Sequence, residues 1–267
     1  MIATPNTAAI TNVAPLFIPT LRGEISINAE LSHVSRIVYS VPSERVRRLL
    51  PANFETGSEQ SLVSITSFLD LGSRRNGQDA FEQTGYRLHA THAGKPVCWL
   101  LGASIGSLSA IAMRQMWHSP WHLGAMEFHV LYNPAAGRYQ EYRLRTQSQW
   151  ASATWAIADT GVMLEDADAH SMLRDVQTSE ITDHFTRRDG SIGARRVRIH
   201  RPHFTRGWML AARCDLLERL SLLTREELMQ PAMVALQHSM ACTLDAPRSD
   251  SRSIPQLYAA SRGSAGH

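Results

Sequence analysis

Cysteine, lysine and long apolar runs are all scarce in this chain of 267 residues. Its three cysteines, Cys98, Cys214 and Cys242, lie far apart, and an odd number of widely spaced cysteines argues against a disulfide framework. No apolar run approaches the roughly 20 residues that span a bilayer. The first residues also lack the basic start and apolar stretch of a secretory signal. We therefore expect a reduced, cytoplasmic protein without a membrane partner.

Lysine occurs once, at Lys95, and the other basic side chains are all arginine. Arginine cannot act as an amine nucleophile, so a Schiff-base mechanism has a single candidate residue. The formal net charge is only +3, and the arginines are spread along the chain apart from the short run in Arg195–Arg198. Such a run is typical of a solvated strand face, and we expect no nucleic-acid partner.

Several signatures of enzyme chemistry are missing. The chain contains no Gly-x-Gly-x-x-Gly, no phosphate loop and no Gly-x-Ser-x-Gly elbow, which are the usual signs of dinucleotide, nucleotide and serine-hydrolase sites. Three histidine pairs occur at short spacing: His89 and His92, His118 and His122, and His200 and His203. None has a third ligand or the adjacent glutamate of a zinc enzyme beside it. We therefore expect neither a metal nor a cofactor.

The stretch richest in chemically useful side chains is Ala110–Gly124, in which two tryptophans, two histidines and an arginine fall within nine residues. It begins as the end of an amphipathic helix predicted over 104–117. Pro120 then turns the chain, because it disfavours helix for Ser119. Large rings beside titratable groups suit the wall of a pocket, where histidine can exchange a proton near neutral pH. The alternative is a core helix with a tryptophan-rich end.

Most of the remaining chain alternates as expected for β-strands joined by hairpins. Strands are predicted at 32–40, 62–69, 81–91, 97–101, 126–131, 138–145, 152–158, 182–185, 195–200 and 241–244. Short helices are predicted at 42–51 and 214–223, and a capping box at Thr224–Glu227. Because no linker divides two cores, we expect one α+β, mainly β domain over 21–246. Residues 1–20 would form an N-terminal arm and residues 247–267 a flexible tail.

Two stretches resemble the acetoacetate decarboxylase-like superfamily. Tyr39–Pro51 is similar to the family's early strand and its helix ending in Leu-Leu-Pro. Arg114–Gly124 resembles the signature Arg-Glu-x-Trp-Gly-Phe-Pro-Lys-Lys-Leu, with arginine, tryptophan, proline and leucine in register. The likeness runs over roughly residues 30 to 245. It implies a closed, cone-like antiparallel β-barrel flanked by helices, with a buried apolar cavity and a homo-oligomeric assembly.

The sequence departs from the family at the residues that carry decarboxylation. In the family, the first lysine after the proline forms a Schiff base with a β-keto acid, and a second lysine follows it. Those two places hold Trp121 and His122 here, and neither side chain forms an iminium. The resemblance places Glu82 on the strand whose carboxylate points into the family's cavity, and Arg36 nearest to the family's early arginine. A second family carboxylate would fall near Ser67, which is not acidic.

These observations predict a cofactor-independent enzyme that acts on a carbonyl or polyketide-like small molecule of secondary metabolism, as a lyase, cyclase or isomerase. Glu82 and His122 would form the acid/base pair, because an apolar cavity keeps a carboxyl group protonated to higher pH and histidine titrates near neutrality. Arg114 would hold a carboxylate or polarise an enolate. The substrate-binding wall would be formed by Trp117, His118, Trp121, Arg36 and Tyr86.

Each of these roles has a structural alternative. Glu82 could instead pair with an arginine, His122 could be a core histidine, and Arg114 could anchor the helix end. Two other functions also stay open, namely a ligand-binding or sensing barrel without chemistry and a Schiff-base decarboxylase that uses Lys95. Lys95 is predicted near the tip of a hairpin, where an exposed amine stays protonated, so we expect no iminium there.

Overall fold

The protein is described by a computed structural model over residues 26–71, 80–108, 118–164, 180–200 and 203–249. The strands in these ranges are β1 (Ser26–Pro42), β2 (Phe54–Glu55), β3 (Gln60–Asp70), β4 (Phe81–His92), β5 (Lys95–Ile105), β6 (Trp121–Leu123), β7 (Ala125–Asn133), β8 (Arg138–Gln147), β9 (Ala153–Met163), β10 (Glu180–Thr186), β11 (Ile192–His200), β12 (Thr205–Cys214), β13 (Met233–Asp245) and β14 (Arg248–Ser249). The helices are α1 (Ser43–Arg47), α2 (Asp215–Arg219) and a 3-10 helix (Glu227–Met229). The predicted mainly β class is confirmed.

Seven of these strands close into a barrel. The hydrogen-bonded order is β11-β10-β5-β4-β3-β1-β13, and β13 pairs back with β11 to complete the ring. Neighbouring strands are antiparallel except β10 and β5, which run parallel. Closure gives each wall strand two partners, so the barrel has no open edge. The predicted closed barrel is confirmed, with one parallel pair in its wall.

A second sheet leaves the barrel at β13. Strand β12 pairs with β13 at Thr205 and Arg206, and the order then continues through β9 and β8 to β7. The largest apolar cluster joins this sheet to the barrel, bringing Tyr39 and Ile65 of the barrel together with Trp155 of β9. We call this cluster the interlayer core. Burial of large side chains here is what holds the two layers together.

Alternation along the wall strands separates the interlayer core from the interior of the barrel. On β4, Tyr86 and Leu88 belong to the interlayer core, whereas Gln83 and Arg87 line the interior. A step of one residue along a strand therefore moves a side chain from one compartment to the other. Both compartments are buried, so side chains on both faces of β4 are packed against other parts of the protein.

The hairpin predicted around Lys95 is confirmed between β4 and β5. His92 pairs with Lys95, and both loop residues have positive φ, 51° at Ala93 and 73° at Gly94. This is the backbone of a type I′ turn, whose twist matches that of two antiparallel strands. Lys95 is exposed at the base of this turn.

The capping box predicted at Thr224–Glu227 is also confirmed. The Glu227 amide donates to Thr224 Oγ1 at 3.2 Å, and the Thr224 amide donates to Glu227 Oε2 at 2.7 Å. The same carboxylate accepts a hydrogen bond from Arg45 Nη1 at 2.8 Å. The capped turn before the 3-10 helix is thereby tied to α1.

The predicted elements differ from the structure in extent. Ser104 and Ile105 end β5 rather than begin a helix, because the pairing of β4 with β5 continues as far as Gln83 and Ile105. The rest of that predicted helix, from 109 to 117, lies outside the described residues. Helices α1 and α2 are each five residues long, about half of what the sequence patterns indicated.

The predicted arm, residues 1–20, lies outside the described residues, and so does most of the predicted tail. Arg248 and Ser249 form β14 against Gly193 and Ala194 of β11, so regular structure extends slightly beyond the predicted boundary at residue 246. The division into arm, domain and tail otherwise stays a prediction. None of the described helices has the length and apolar character of a membrane span.

The interlayer core can be tested with two tryptophans. Trp155 is 0% exposed in this core, whereas Trp208 on β12 is 64% exposed. Truncation of Trp155 to alanine leaves a large cavity, so we expect the free energy of unfolding to fall by about 3–5 kcal/mol. The matched Trp208→Ala variant should change it by no more than about 0.5 kcal/mol. Urea denaturation followed by far-UV circular dichroism measures both, and equal losses would contradict the packing described.

Candidate functional site

The interior of the barrel contains a cavity of about 70 Å³. Its wall is formed by inward-facing side chains of six barrel strands and by Trp121 of β6. One part of the wall is apolar and includes Leu31, Phe68, Phe81, Met240 and Leu244. The polar part consists chiefly of Arg36, Thr66, Asp70, Gln83, Arg87 and Arg195. An apolar pocket with a few convergent polar groups is the usual form of a small-molecule site.

A single carboxylate binds two of the three arginines. Arg87 donates to both oxygens of Asp183, from Nε at 2.8 Å and from Nη2 at 3.1 Å, and Arg195 Nη2 donates to Oδ2 at 3.1 Å. Burial alone would raise the pKa of Asp183, but the two guanidiniums outweigh it and hold that pKa below its usual value. Asp183 is therefore an anion that organises the arginines, and it is a poor proton donor.

Arg36 is the third buried guanidinium. Burial and repulsion from Arg87 lower its pKa to about 10, although Cys98 and Asp183 partly offset them. Its Cζ lies 5.5 Å from the centroid of the Phe204 ring, a cation–π arrangement. The cavity wall thus combines the guanidiniums of Arg36, Arg87 and Arg195 with the carboxylate of Asp70.

Arg195 of β11 brings a buried hydrogen-bond donor to the cavity wall. Its side chain is 3% exposed, and its buried Nε–H has no hydrogen-bond partner among the described residues. The Cζ of Arg195 lies 5.7 Å from the ring centroid of Trp121. A buried donor without an acceptor costs about 1–3 kcal/mol, which an oxygen atom of a ligand would recover.

Asp70 is the carboxylate of the described cavity wall, and the sequence reasoning missed it. The family resemblance places a second carboxylate near Ser67, but the Ser67 side chain faces the other way and its Oγ lies 3.0 Å from Thr84 Oγ1. Thr66, Phe68 and Asp70 share the interior face of β3. Alternation counted from Thr66 would have found Asp70.

Glu82 does not line the cavity. Its carboxylate lies against Gly106, where a β-carbon would meet Oε2 at 2.3 Å, and Gln83 takes the inward position on β4. The prediction of an inward-pointing carboxylate at this residue is wrong by one position, because consecutive strand residues face opposite sides.

His122 also lies outside the cavity. It follows the inward-facing Trp121 on β6, and its ring stacks on Trp150 with centroids 4.3 Å apart and an angle of 7° between the planes. The structure therefore does not bring His122 and Glu82 together in the cavity, as we had expected. Their acid/base roles stay predictions that would require substrate on the other face of the sheet.

The predicted substrate-binding residues divide between the two compartments. Arg36 and Trp121 line the cavity. Tyr86 belongs to the interlayer core, where burial raises the pKa of its hydroxyl well above the usual value, and His118 is exposed before β6. Neither of these two lines the cavity. Two further predicted residues, Arg114 and Trp117, lie outside the described residues.

Lys95, the residue of the Schiff-base alternative, is exposed at the β4–β5 turn and does not contribute to the cavity wall. Within the described ranges, no group of three or more histidine, cysteine, aspartate or glutamate side chains is arranged to hold a metal ion.

Comparison with known proteins shows similarity at the level of the fold. No family model and no curated protein sequence matches the chain. Among solved structures, the enduracididine biosynthesis enzyme MppR with HEPES bound aligns at a TM-score of 0.58 and 13% identity, covering 95% of this chain and 99% of MppR. Acetoacetate decarboxylase from Legionella pneumophila aligns at a TM-score of 0.55 and 13% identity, covering 92% of this chain and 97% of the decarboxylase. An acetoacetate decarboxylase-like enzyme from Sphingomonas wittichii RW1 aligns at a TM-score of 0.54 and 9% identity, covering 83% of this chain and 92% of that enzyme.

The buried ion pairs give a stability prediction. Asp183→Asn would leave two buried guanidiniums without their carboxylate, so we expect the free energy of unfolding to fall by about 3–5 kcal/mol at pH 7. Glu141→Gln breaks an exposed pair, Glu141 Oε1 to Arg143 Nε at 3.0 Å, and should cost at most about 1 kcal/mol. Chemical denaturation of both variants measures the difference.

The difference in the free energy of unfolding between the wild type and Asp183→Asn should depend on pH. Because the pKa of Asp183 is lowered on folding, its stabilising contribution is complete above the unfolded-state value near pH 3.9. It should decrease below that pH and vanish below the depressed folded-state pKa. An advantage of the wild type over Asp183→Asn that disappeared already between pH 7 and pH 5 would contradict this assignment.

Proposed function

We propose that this chain, which has the fold of acetoacetate decarboxylase-like enzymes, is itself an enzyme that acts on a small carbonyl compound bearing a carboxylate. The observation that carries the proposal is the cavity of the barrel, whose wall carries three buried guanidiniums and a buried Nε–H of Arg195 that has no partner among the described residues. An anionic substrate would accept a hydrogen bond from this donor. Its carbonyl group would then lie among the same cations.

The charged side chains and the volume of the cavity together indicate which class of substrate it could bind. Arg36 and the unpartnered Nε–H of Arg195 are suited to a carboxylate. A volume of about 70 Å³ corresponds to roughly five water positions, which suits a small oxoacid, whereas a polyketide-like compound would require the cavity to expand. The structural neighbour MppR is known with pyruvate bound and with the condensation product of pyruvate and imidazole 4-carboxaldehyde. That precedent supports an oxoacid.

The chemistry that fits this cavity is proton transfer next to a carbonyl, without a Schiff base. Trp121 stands where the resemblance places the reactive lysine, so no iminium forms at that position. Asp70 is the cavity carboxylate that could remove a proton from the carbon beside the carbonyl. Arg36 and Arg195 would stabilise the enolate oxygen until the proton returns. Enolisation of this kind underlies the lyase, cyclase and isomerase reactions predicted from the sequence, and it would require no cofactor.

A ligand-binding barrel without turnover is the second candidate. The observation that favours it is Trp121 itself, since an indole fills the nucleophile's place and closes one side of the cavity. A Schiff base at Lys95 has no comparable support, because that lysine is exposed outside the cavity. Borohydride treatment in the presence of pyruvate should accordingly leave the protein mass unchanged.

Binding can be tested with pyruvate as the probe. We expect millimolar pyruvate to raise the melting temperature of the wild type, since a ligand that binds only the folded state stabilises it. Arg36→Met should abolish this increase. Arg45→Met, which removes a partly exposed cation paired with Glu227, should retain it. Equal increases in both variants would show that pyruvate does not bind at the arginines of the cavity.

Catalysis can be tested by exchange of the methyl protons of pyruvate with D₂O, followed by proton NMR. If Asp70 transfers the proton, Asp70→Asn should slow the exchange at least about a hundredfold while pyruvate binding persists. Glu82→Gln and His122→Ala should leave the rate within about threefold of the wild type, because both side chains lie outside the cavity.

The converse result, with Asp70→Asn active and either Glu82→Gln or His122→Ala inactive, would indicate that proton transfer occurs on the outer face of the barrel wall. Binding by the wild type without exchange, and without conversion of a panel of oxoacids, would favour the ligand-binding alternative.

A further inference from the structure

A second pocket lies outside the arginine-lined cavity. It is a groove of about 210 Å³ between the β4–β5 hairpin, the start of β3 and the start of β10. Its exposed rim includes Gln60, Pro96 and Glu180, and its wall includes His89 and the buried Cys98. We propose that Cys98 is a thiol nucleophile in this groove and that it reacts with small α,β-unsaturated carbonyl compounds.

The β4–β5 hairpin brings the two reactive side chains together. His89 and Cys98 are direct partners across the strands, and His89 Nδ1 lies 3.7 Å from Cys98 Sγ. On the other side of the ring, His89 Nε2 lies 2.9 Å from Ser64 Oγ. When Nε2–H donates to Ser64, the lone pair of Nδ1 faces the thiol. This is the arrangement of a nucleophile, a base and an orienting group.

Two guanidiniums lie near the sulfur of Cys98. Burial lowers the pKa of Arg36, whereas at Arg87 burial is outweighed by Asp183, which raises the pKa, and Cys98 is among the smaller influences that raise both. These guanidiniums would stabilise negative charge on the sulfur, and the carboxylate of Asp183, the strand partner of Cys98, would oppose it. Cationic neighbours of this kind are what make a cysteine reactive in proteins.

The same charges keep His89 neutral. Burial, followed by repulsion from Arg36 and Arg87, lowers the pKa of His89 to about 3. A neutral ring has a free lone pair for the thiol proton. Because the pKa of the ring lies far below that of a thiol, the ring takes this proton only as the carbon–sulfur bond forms and then passes it to the enolate.

The reaction balances without a further reactant. The thiol proton moves to His89 Nδ1 as the sulfur attacks the β-carbon of the unsaturated carbonyl compound. A carbon–sulfur bond forms, the carbon–carbon π bond breaks, and its electron pair moves into the enolate. The enolate carbon next to the carbonyl then takes the proton from His89. The net change is addition of the Cys98 S–H across the double bond.

The other two cysteines have no histidine as a cross-strand partner and provide internal references. Burial in the interlayer core raises the pKa of Cys214 to about 12. Burial and the nearby Asp70 outweigh the opposing effect of Arg195 and raise the pKa of Cys242, a residue of the cavity wall, to about 12. Neither belongs to the groove. The three thiols of one folded chain can therefore be compared under identical conditions.

The test is alkylation of the full-length native protein by but-3-en-2-one at pH 7, resolved by peptide mass spectrometry. We expect Cys98 to be modified at least about tenfold faster than Cys214 and Cys242. In urea, the three thiols should react at similar rates. A native rate at Cys98 no greater than that of the other two thiols would overturn the proposal, and this comparison requires no variant.

The role of His89 has its own matched variants. His89→Gln should slow modification of Cys98 at least about tenfold, because the proton acceptor is lost. His129→Gln, which changes an exposed histidine of β7, should leave the rate unchanged. An unchanged Cys98 rate in His89→Gln, in a variant with the wild-type circular dichroism spectrum, would show that the thiol reacts without the histidine and would overturn its assigned role.

Discussion

The carboxylate of Asp183 is the interaction on which the interior of the barrel depends. It connects Arg87 of β4 and Arg195 of β11 to β10, the strand that carries it. Strand β10 meets β5 in a parallel pairing of only two residue pairs, the shortest seam in the closed ring. The Arg87–Asp183 ion pair reaches across β5 and this seam, and the Arg195–Asp183 pair connects β10 to β11 on its other side. Placement of the two arginines therefore depends on closure of the barrel at β10.

A dense cluster of charges in the cavity is the consequence of that arrangement. Asp183 fixes two guanidiniums, while Arg36 and Asp70 also line the cavity and the Nε–H of Arg195 has no partner among the described residues. Preorganised cations in a small enclosed cavity would interact with an enolate or a carboxylate more strongly than they would in bulk water. The guanidiniums of Arg36 and Arg87 also act on His89 in the groove, which links the electrostatics of the groove to that of the cavity.

Local sequence patterns predicted the strands, the β4–β5 turn and the capping box, because each depends on alternation or on turn residues a few positions apart. The same patterns could not say which face of a strand is the interior. Both faces of β4 are buried, so polarity does not distinguish them, and the choice of Glu82 and Tyr86 over Gln83 and Arg87 was wrong by one position each. The partnership of Arg87 with Asp183 joins residues 96 positions apart, and only the closed barrel brings them together.

The exposed β4–β5 turn also makes the protein convenient to label. Lys95 is the only lysine of the chain, and it stands in solvent at the end of the hairpin whose strands carry Cys98 and His89. An amine-reactive dye would therefore attach to side chains at one known position, away from the cavity wall. Energy transfer or quenching from such a dye would report on opening of this end of the barrel without the heterogeneous conjugation that lysine-rich proteins show.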